Sequence, residues 1–339
     1  MRFVAVVMMG LSFVSGSVQA QNEVTLYSYR EPFRIAAVLR GFEANSGIRI
    51  KVVHAKEGLV ERIASEGSQS SADVLLAEEF GVLIQAREAG ITQPIKGSSI
   101  EGHVPPNYRD PDGHWIGLTN HARVVFASKT RVPQETVTYE ELADPKWRGK
   151  ICIRPAAHTY NLSLIASMIA HHGRSEAKRW LIGLKDNLAR RPHGNDRAQL
   201  KAIYDGICDL AVVNTYYMGE TTWSFTEQKQ WAEATKILFP NAEGRGSHVS
   251  ISGVALMKHA PNKVAAMALI EFLTSEVGQR IYSTMLYAYP VVPNLPASDF
   301  VRGWGTFVAD ALPLAEIALL RKDAAALVEE VGIDRASPN

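Results

Sequence analysis

The sequence predicts an α/β clamshell of two lobes, each a mixed, mostly parallel sheet flanked by helices, with two extended crossings between them. Three observations predict it. Strand-like and helix-like segments alternate from Glu23 onward, two long apolar strand-like runs interrupt the alternation, and 339 residues exceed what one hydrophobic core usually serves.

The chain begins with Met1-Arg2, an apolar run over residues 3–14 and Val18-Gln19-Ala20. A short cationic start, an apolar stretch too short to span a bilayer and a V-x-A ending read as a secretory signal, residues 1–20, removed on export. The expected location is therefore the periplasm. No Cys follows the cleavage point to carry a lipid, and no later run supplies about 18 uninterrupted apolar residues.

Residues 24–28 then read as a strand, 32–46 as an amphipathic helix, 48–54 as a strand, 57–66 as a helix, 72–77 as a buried strand and 80–89 as a helix. Pro105-Pro106 and Asp110-Pro111-Asp112-Gly113 break the series ahead of the apolar run 115–128. Ordinary strands have about five or six residues, so 117–127 is long enough to cross between lobes. A second alternating set follows: strands at 151–154, 210–214 and 236–239, helices at 162–171, 175–186 and 198–204. Residues 248–256 read as the second crossing, followed by helices at 263–275 and 277–284, and residues 334–339 as a frayed tail. The lobes expected from this reading are 21–119 with 254–295, and 120–253 with 296–339. Ligand would sit where the strand ends of both sheets face each other.

A net charge of +1, from 36 basic and 35 acidic residues, argues against nucleic acid and anionic membrane surfaces as partners. Cys152 and Cys208 both lie in apolar strand-like runs, which leaves open one disulfide or two buried thiols; without CxxC spacing a Cys-based metal site is disfavoured. The sequence holds no GxSxG elbow, Walker loop or HExxH helix, so no enzyme is expected.

The informative segment is Asn214-Thr215-Tyr216-Tyr217-Met218-Gly219, directly after a buried strand. Successive side chains on a strand point to opposite faces, so both rings reach one site only if the backbone turns there. Tyr160 occupies a second strand-to-helix loop. A phenol with a pKa near ~10 is a poor anion, but a bound cation favours the deprotonated form of its ligands. Three phenolates would balance Fe³⁺, whereas Mg²⁺ and Ca²⁺ are served by carboxylates and carbonyls. Packing with surface hydroxyls is the ordinary use of such tyrosines. Positions left open on the ion could take a small synergistic anion such as carbonate, and Arg123 or Arg30 could present a bidentate fork to it; a salt bridge is the alternative for each. Tyr29, His54, the Glu78-Glu79 pair and Asn195 are further cleft candidates. His171-His172 reads as a helix end before Gly173, and Asp196 as an N-cap.

Taken in order, the segments Leu26-Tyr27-Ser28-Tyr29-Arg30-Glu31-Pro32, Arg109-Asp110-Pro111-Asp112-Gly113-His114-Trp115, Gly194-Asn195-Asp196-Arg197 and Asn214-Thr215-Tyr216-Tyr217 carry a resemblance over essentially the whole mature chain. It resembles the periplasmic ferric-iron-binding proteins of bacterial ABC importers, the FbpA and FutA group of the type II periplasmic-binding-protein fold. The resemblance implies Tyr160, Tyr216 and Tyr217 as metal ligands, Fe³⁺ as the transported ion, a disulfide between Cys152 and Cys208, an ABC permease as partner and a monomer. It also marks two departures: no histidine in the loop after the first strand, and His121-Ala122-Arg123 where relatives often show Arg-Ala-Arg. Two rivals are a binding protein of the same fold for a polyamine, phosphonate or other organic or oxyanion solute, and a secreted hydrolase using Glu79 or Asp196 as general base.

Overall fold

The computed structural model describes residues 22–224, 227–305 and 307–335. The expected signal, residues 1–20, lies outside them. In chain order the first elements are β1 (Glu23–Ser28), α1 (Pro32–Ser46), β2 (Arg49–His54), α2 (Leu59–Glu66), β3 (Val74–Ala77), α3 (Phe80–Glu88), β4 (Thr92–Gln93), α4 (Ser98–His103) and β5 (Ile116–Ser128). Next come β6 (Ile151–Cys152), α5 (Thr159–Asp186), α6 (Asp196–Tyr204), β7 (Leu210–Asn214), α7 (Tyr217–Thr222), α8 (Glu227–Glu233) and β8 (Thr235–Leu238). The chain finishes with β9 (Val249–Met257), α9 (Lys263–Thr274), α10 (Glu276–Met285), β10 (Tyr289–Pro290), α11 (Asp299–Arg302), α12 (Leu314–Leu319) and α13 (Arg321–Val331).

The sheet is mixed, with strand order β2-β1-β3-β9-β5-β7-β6. Its parallel ladders are β1 with β2 and β3, and β6 with β7, while β5 and β9 run antiparallel to their neighbours. Every residue of β5 and β9 is buried, which accounts for the unbroken apolar runs seen in the sequence. β5 changes partners midway: Ile116 to Ala122 pair with β9, Arg123 to Ala127 with β7. This exchange puts His121 and Arg123 at the junction of the two halves of the sheet, beside the C-terminal end of β7.

Helix α1 shows how the sequence writes its elements. Pro32 starts it, Gly47 at φ 72° ends it, and Ile35, Val38, Leu39 and Phe42 fall on one buried face. The span α5 consists of the two predicted helices, separated at Gly173, whose φ 76° and ψ 160° are non-helical and cost glycine little. His171-His172 ends the first of them, as expected, and its rings pair with Asp310 at 2.6 Å and Glu140 at 2.7 Å. The tail expectation is corrected at its start. Asp334 accepts hydrogen bonds from the backbone N–H groups of Ala156 and Ala157 at 2.6 and 2.9 Å, and Ile333 is buried. Residues 336–339 lie outside the described ones.

Cys152 and Cys208 form a disulfide with Cα atoms 5.9 Å apart, closing a separation of 56 residues. A loop of that length corresponds to about 4 kcal/mol in the chain-entropy account. Replacing both cysteines by Ser is expected to lower stability by about 2–4 kcal/mol, read from urea unfolding. An unchanged midpoint would mean that the bridge is energetically idle.

Candidate metal centre

β7 delivers the chain to Thr215, whose N–H donates to Ala122 O at 3.0 Å while its Oγ1 accepts from Ala122 N–H at 3.3 Å, tying the turn to β5. The backbone is already helical at Tyr216, with φ −62° and ψ −18°, and α7 starts at Tyr217. This is the turn that the double tyrosine requires. Both rings fall on the same side, with centroids 4.6 Å apart. Gly219 follows because a Cβ there would collide with the Tyr287 ring.

Tyr160 stands in the first turn of α5, where His158 Nδ1 accepts its backbone N–H at 3.2 Å. Its hydroxyl accepts a hydrogen bond from Tyr216 Oη at 3.0 Å, and Asn214 Nδ2 donates to Tyr216 Oη at 3.2 Å. The tyrosines at 160, 216 and 217 are thus brought together, and each is less than a tenth exposed. Burial, then the charges of Glu78, Glu220 and Asp196, push the Tyr216 phenol up to about 12; burial and the neighbouring Tyr216 hold those of Tyr160 and Tyr217 well above the ordinary range. Without a cation, the cluster is protonated at neutral pH.

Tyr216 and Tyr217 line a polar cavity of about 190 Å³ whose walls also include Tyr29, Arg30, Glu78 and Glu220. Arg30 is buried; its Nε donates to Tyr282 Oη at 3.1 Å and its Nη1 lies 3.6 Å from Glu78. Burial alone would weaken its charge, but Tyr282, Glu78 and the site phenols raise its pKa above the usual arginine value. Tyr160 Oη donates to Glu78 at 3.5 Å. Across the cavity mouth Arg34 of α1 and Arg197 of α6 both pair with the buried carboxylate of Glu220 on α7.

Arg123 is engaged through both terminal nitrogens, while its buried Nε has no partner among the described residues. Its Nη1 pairs with Asp196 and donates to Asn214 at 3.0 Å, and its Nη2 donates to Asn161 at 2.7 Å. Asp196 is fully buried between Arg123 and Arg154. Burial would raise its carboxyl, but the two arginines hold it below the usual range. Asp196 is not the N-cap expected from sequence: Asn195 caps α6, accepting from Ala198 N–H at 3.1 Å, because its extended backbone aims the side chain at the free amides.

The remaining candidates scatter. Tyr29 lines the cavity, but its hydroxyl accepts from the Leu59 and Val60 N–H groups at 3.1 and 3.2 Å and so caps α2. His54 Nδ1 sits 3.0 Å from Ser28 O. Glu79 caps α3 through Gly81 N–H at 2.8 Å and also accepts from Ser250, Thr159 and Arg321 at 2.8, 2.9 and 3.3 Å. Sequence reasoning missed Arg154, Glu220 and His121 as members of the site. Helical spacing from Tyr216 could have found Glu220, and strand alternation from Arg123 could have found His121. Among the described residues, no group of three His, Cys, Asp or Glu side chains is placed to hold a metal ion.

Residues 70–302 match the family model described as bacterial extracellular solute-binding protein. Iron uptake protein A1 of Synechocystis sp. is 42% identical over 315 residues, spanning 92% of this chain and 88% of its own. Apo ferric ion-binding protein A of Pasteurella haemolytica superimposes with a TM-score of 0.87 at 43% identity, over 92% of this chain and 98% of that one. A Trichodesmium protein solved with iron and citrate ligands gives 0.87 at 40% identity, over 91% and 99%. The chain belongs to the bacterial extracellular solute-binding protein family, on the branch of iron uptake and ferric ion-binding proteins, which are binding proteins rather than enzymes.

Proposed function

We propose that this protein captures ferric iron in the periplasm through the phenolates of Tyr160, Tyr216 and Tyr217 and delivers it to an ABC permease. The observation that carries the reading is the contact of the Tyr160 and Tyr216 hydroxyls at 3.0 Å, with the Tyr217 ring against that of Tyr216 and both of these at the wall of a polar cavity. Names of the relatives, among them an iron uptake protein and a ferric ion-binding protein, support the choice of ion.

The chemistry follows from charge. Three neutral phenols lose their protons to the ion, and three phenolates cancel its charge within a buried site. Hard octahedral coordination leaves positions for a small anion, and Arg30 at the cavity wall is the better placed cation to hold it, since Arg123 is engaged by Asp196. Carbonate fits that place, as does the carboxylate of citrate, which accompanies iron in the Trichodesmium protein. Arg123 acts through Asp196, Asn214 and Asn161 to position the tyrosine loops. Residues 21–119 with 254–295 form one lobe in this reading and residues 120–253 with 296–339 the other, so the Arg34–Glu220 and Glu79–Arg321 pairs close the cleft as a monomer's own latch.

Titration of the metal-free protein with ferric citrate tests the reading. Ferric phenolate complexes absorb visible light, so a coloured band is expected to saturate at one iron per chain, confirmed by metal analysis. A protein that stays colourless at saturation would instead favour an organic or oxyanion solute.

Acid should release the iron. The empty-site phenols keep their protons well beyond neutral pH, so binding liberates them and affinity must rise with pH. If all three protons leave, retention against a fixed free-ion activity falls by up to about a thousandfold for each pH unit lost. The visible band, followed from pH 7.5 to 5 with a metal buffer present, measures this; a flat response would exclude phenol deprotonation.

A further inference from the structure

His121 is the group at this site that the account above leaves unused. It lies on β5 at the point where that strand exchanges β9 for β7, two residues before Arg123 and therefore on the same face. That face looks onto the tyrosines. The imidazole meets the Tyr216 ring edge-on at 5.2 Å between centroids and the Tyr160 ring at 6.4 Å. It is 1% exposed, and neither Nδ1 nor Nε2 has a hydrogen-bond partner among the described residues. The other two imidazoles nearby differ in this respect: His248 Nε2 meets Ser163 Oγ at 2.8 Å, and His158 Nδ1 caps α5 at Tyr160 N–H.

A buried imidazole with both nitrogens idle needs an explanation, because buried polar atoms are ordinarily paired. Edge-on packing against two phenol rings would be served as well by phenylalanine, without idle nitrogens. An imidazole nitrogen carries a lone pair, and this ring packs on the rings of two of the three phenols. Two rings bound in adjacent positions to one ion, with metal–donor bonds of about 2 Å, have centroids about 5 Å apart. The spacing from His121 to Tyr216 is of that size. A neutral nitrogen also adds a donor without disturbing the charge balance of three phenolates and Fe³⁺.

We infer that His121 supplies a nitrogen ligand to the cation held by Tyr160, Tyr216 and Tyr217, an assignment that rests on the ferric-binding reading.

Pulsed electron paramagnetic resonance on the iron-loaded full chain, grown with ¹⁵N-labelled histidine, decides it. Wild type is expected to show the strong nitrogen coupling of a directly bound imidazole. His121→Phe, which keeps the ring and removes the lone pair, should lose that coupling, keep the phenolate band and release iron to citrate at least about tenfold more readily. His121→Asn gives the same comparison should the Phe variant fail to fold. A phenolate band without directly coupled nitrogen in wild type overturns the inference, as does only the weak coupling of a ring bonded to the anion. Coupling that survives in the folded variants also overturns it. A wild-type protein with no iron and no band would overturn the ferric reading itself.

Discussion

Tyr216→Phe is expected to lower ferric retention by more than a hundredfold in competition with citrate and to shift the visible band. Loss of an outer hydrogen-bond partner of a metal ligand already costs about 10–100-fold in affinity, and here the ligand and its charge both go. The ring remains, so its tilted packing on Tyr217 at 4.6 Å survives. The fold should survive too: the variant gives up the hydrogen bonds to Tyr160 and Asn214, about 1 kcal/mol each. Tyr160→Phe should behave alike, and the double variant should be colourless. Undiminished retention in either single variant would remove that oxygen from the site.

The second large effect is on stability. Asp196 neutralises two arginines in the interior, and Asp196→Ala would leave Arg123 and Arg154 facing each other without a counter-charge. Breaking a buried ion pair by removing one partner costs about 3–5 kcal/mol. Iron affinity should fall with it, because Arg123 also holds Asn214 and Asn161 at the bases of the two tyrosine loops. Urea unfolding measures the loss. A change below about 1 kcal/mol would mean that the buried charges are compensated by other groups.

The sequence made the alternating elements, the two long buried strands and the placement of three tyrosines after strands legible, and the reasons are local. Strand and helix periodicities are short-range signals, and Tyr160 and the Tyr216-Tyr217 pair each follow a recognisable buried strand. What escaped was set by partners far along the chain. Arg123 could be read as an anion holder because nothing near it in sequence shows that Asp196, 73 positions on, claims its guanidinium. Asn195 and Asp196 exchanged roles through a shift of one residue at a helix start, where boundaries are least sharply encoded. Gly173, by contrast, was legible as a helix stop: its positive φ interrupts the helix there and a second helix begins beyond it. His121 stood in the sequence only as a departure from Arg; its idle nitrogens emerge once the strand, the two phenol rings and Arg30 are assembled around it.

The Arg34–Glu220–Arg197 cluster ties α1 and α6 to the short helix that carries Tyr217. In the proposed reading, closure of the cleft would act on the same helix that supplies an iron ligand.

Resonance Raman spectra of the iron-loaded protein, excited in the visible band with natural and with ring-deuterated tyrosine, test the central claim most directly. Iron-bound phenolates predict enhanced ring vibrations that move on deuteration and weaken in Tyr160→Phe and Tyr216→Phe. A loaded protein whose enhanced vibrations ignore the label, or that shows none, would contradict the account.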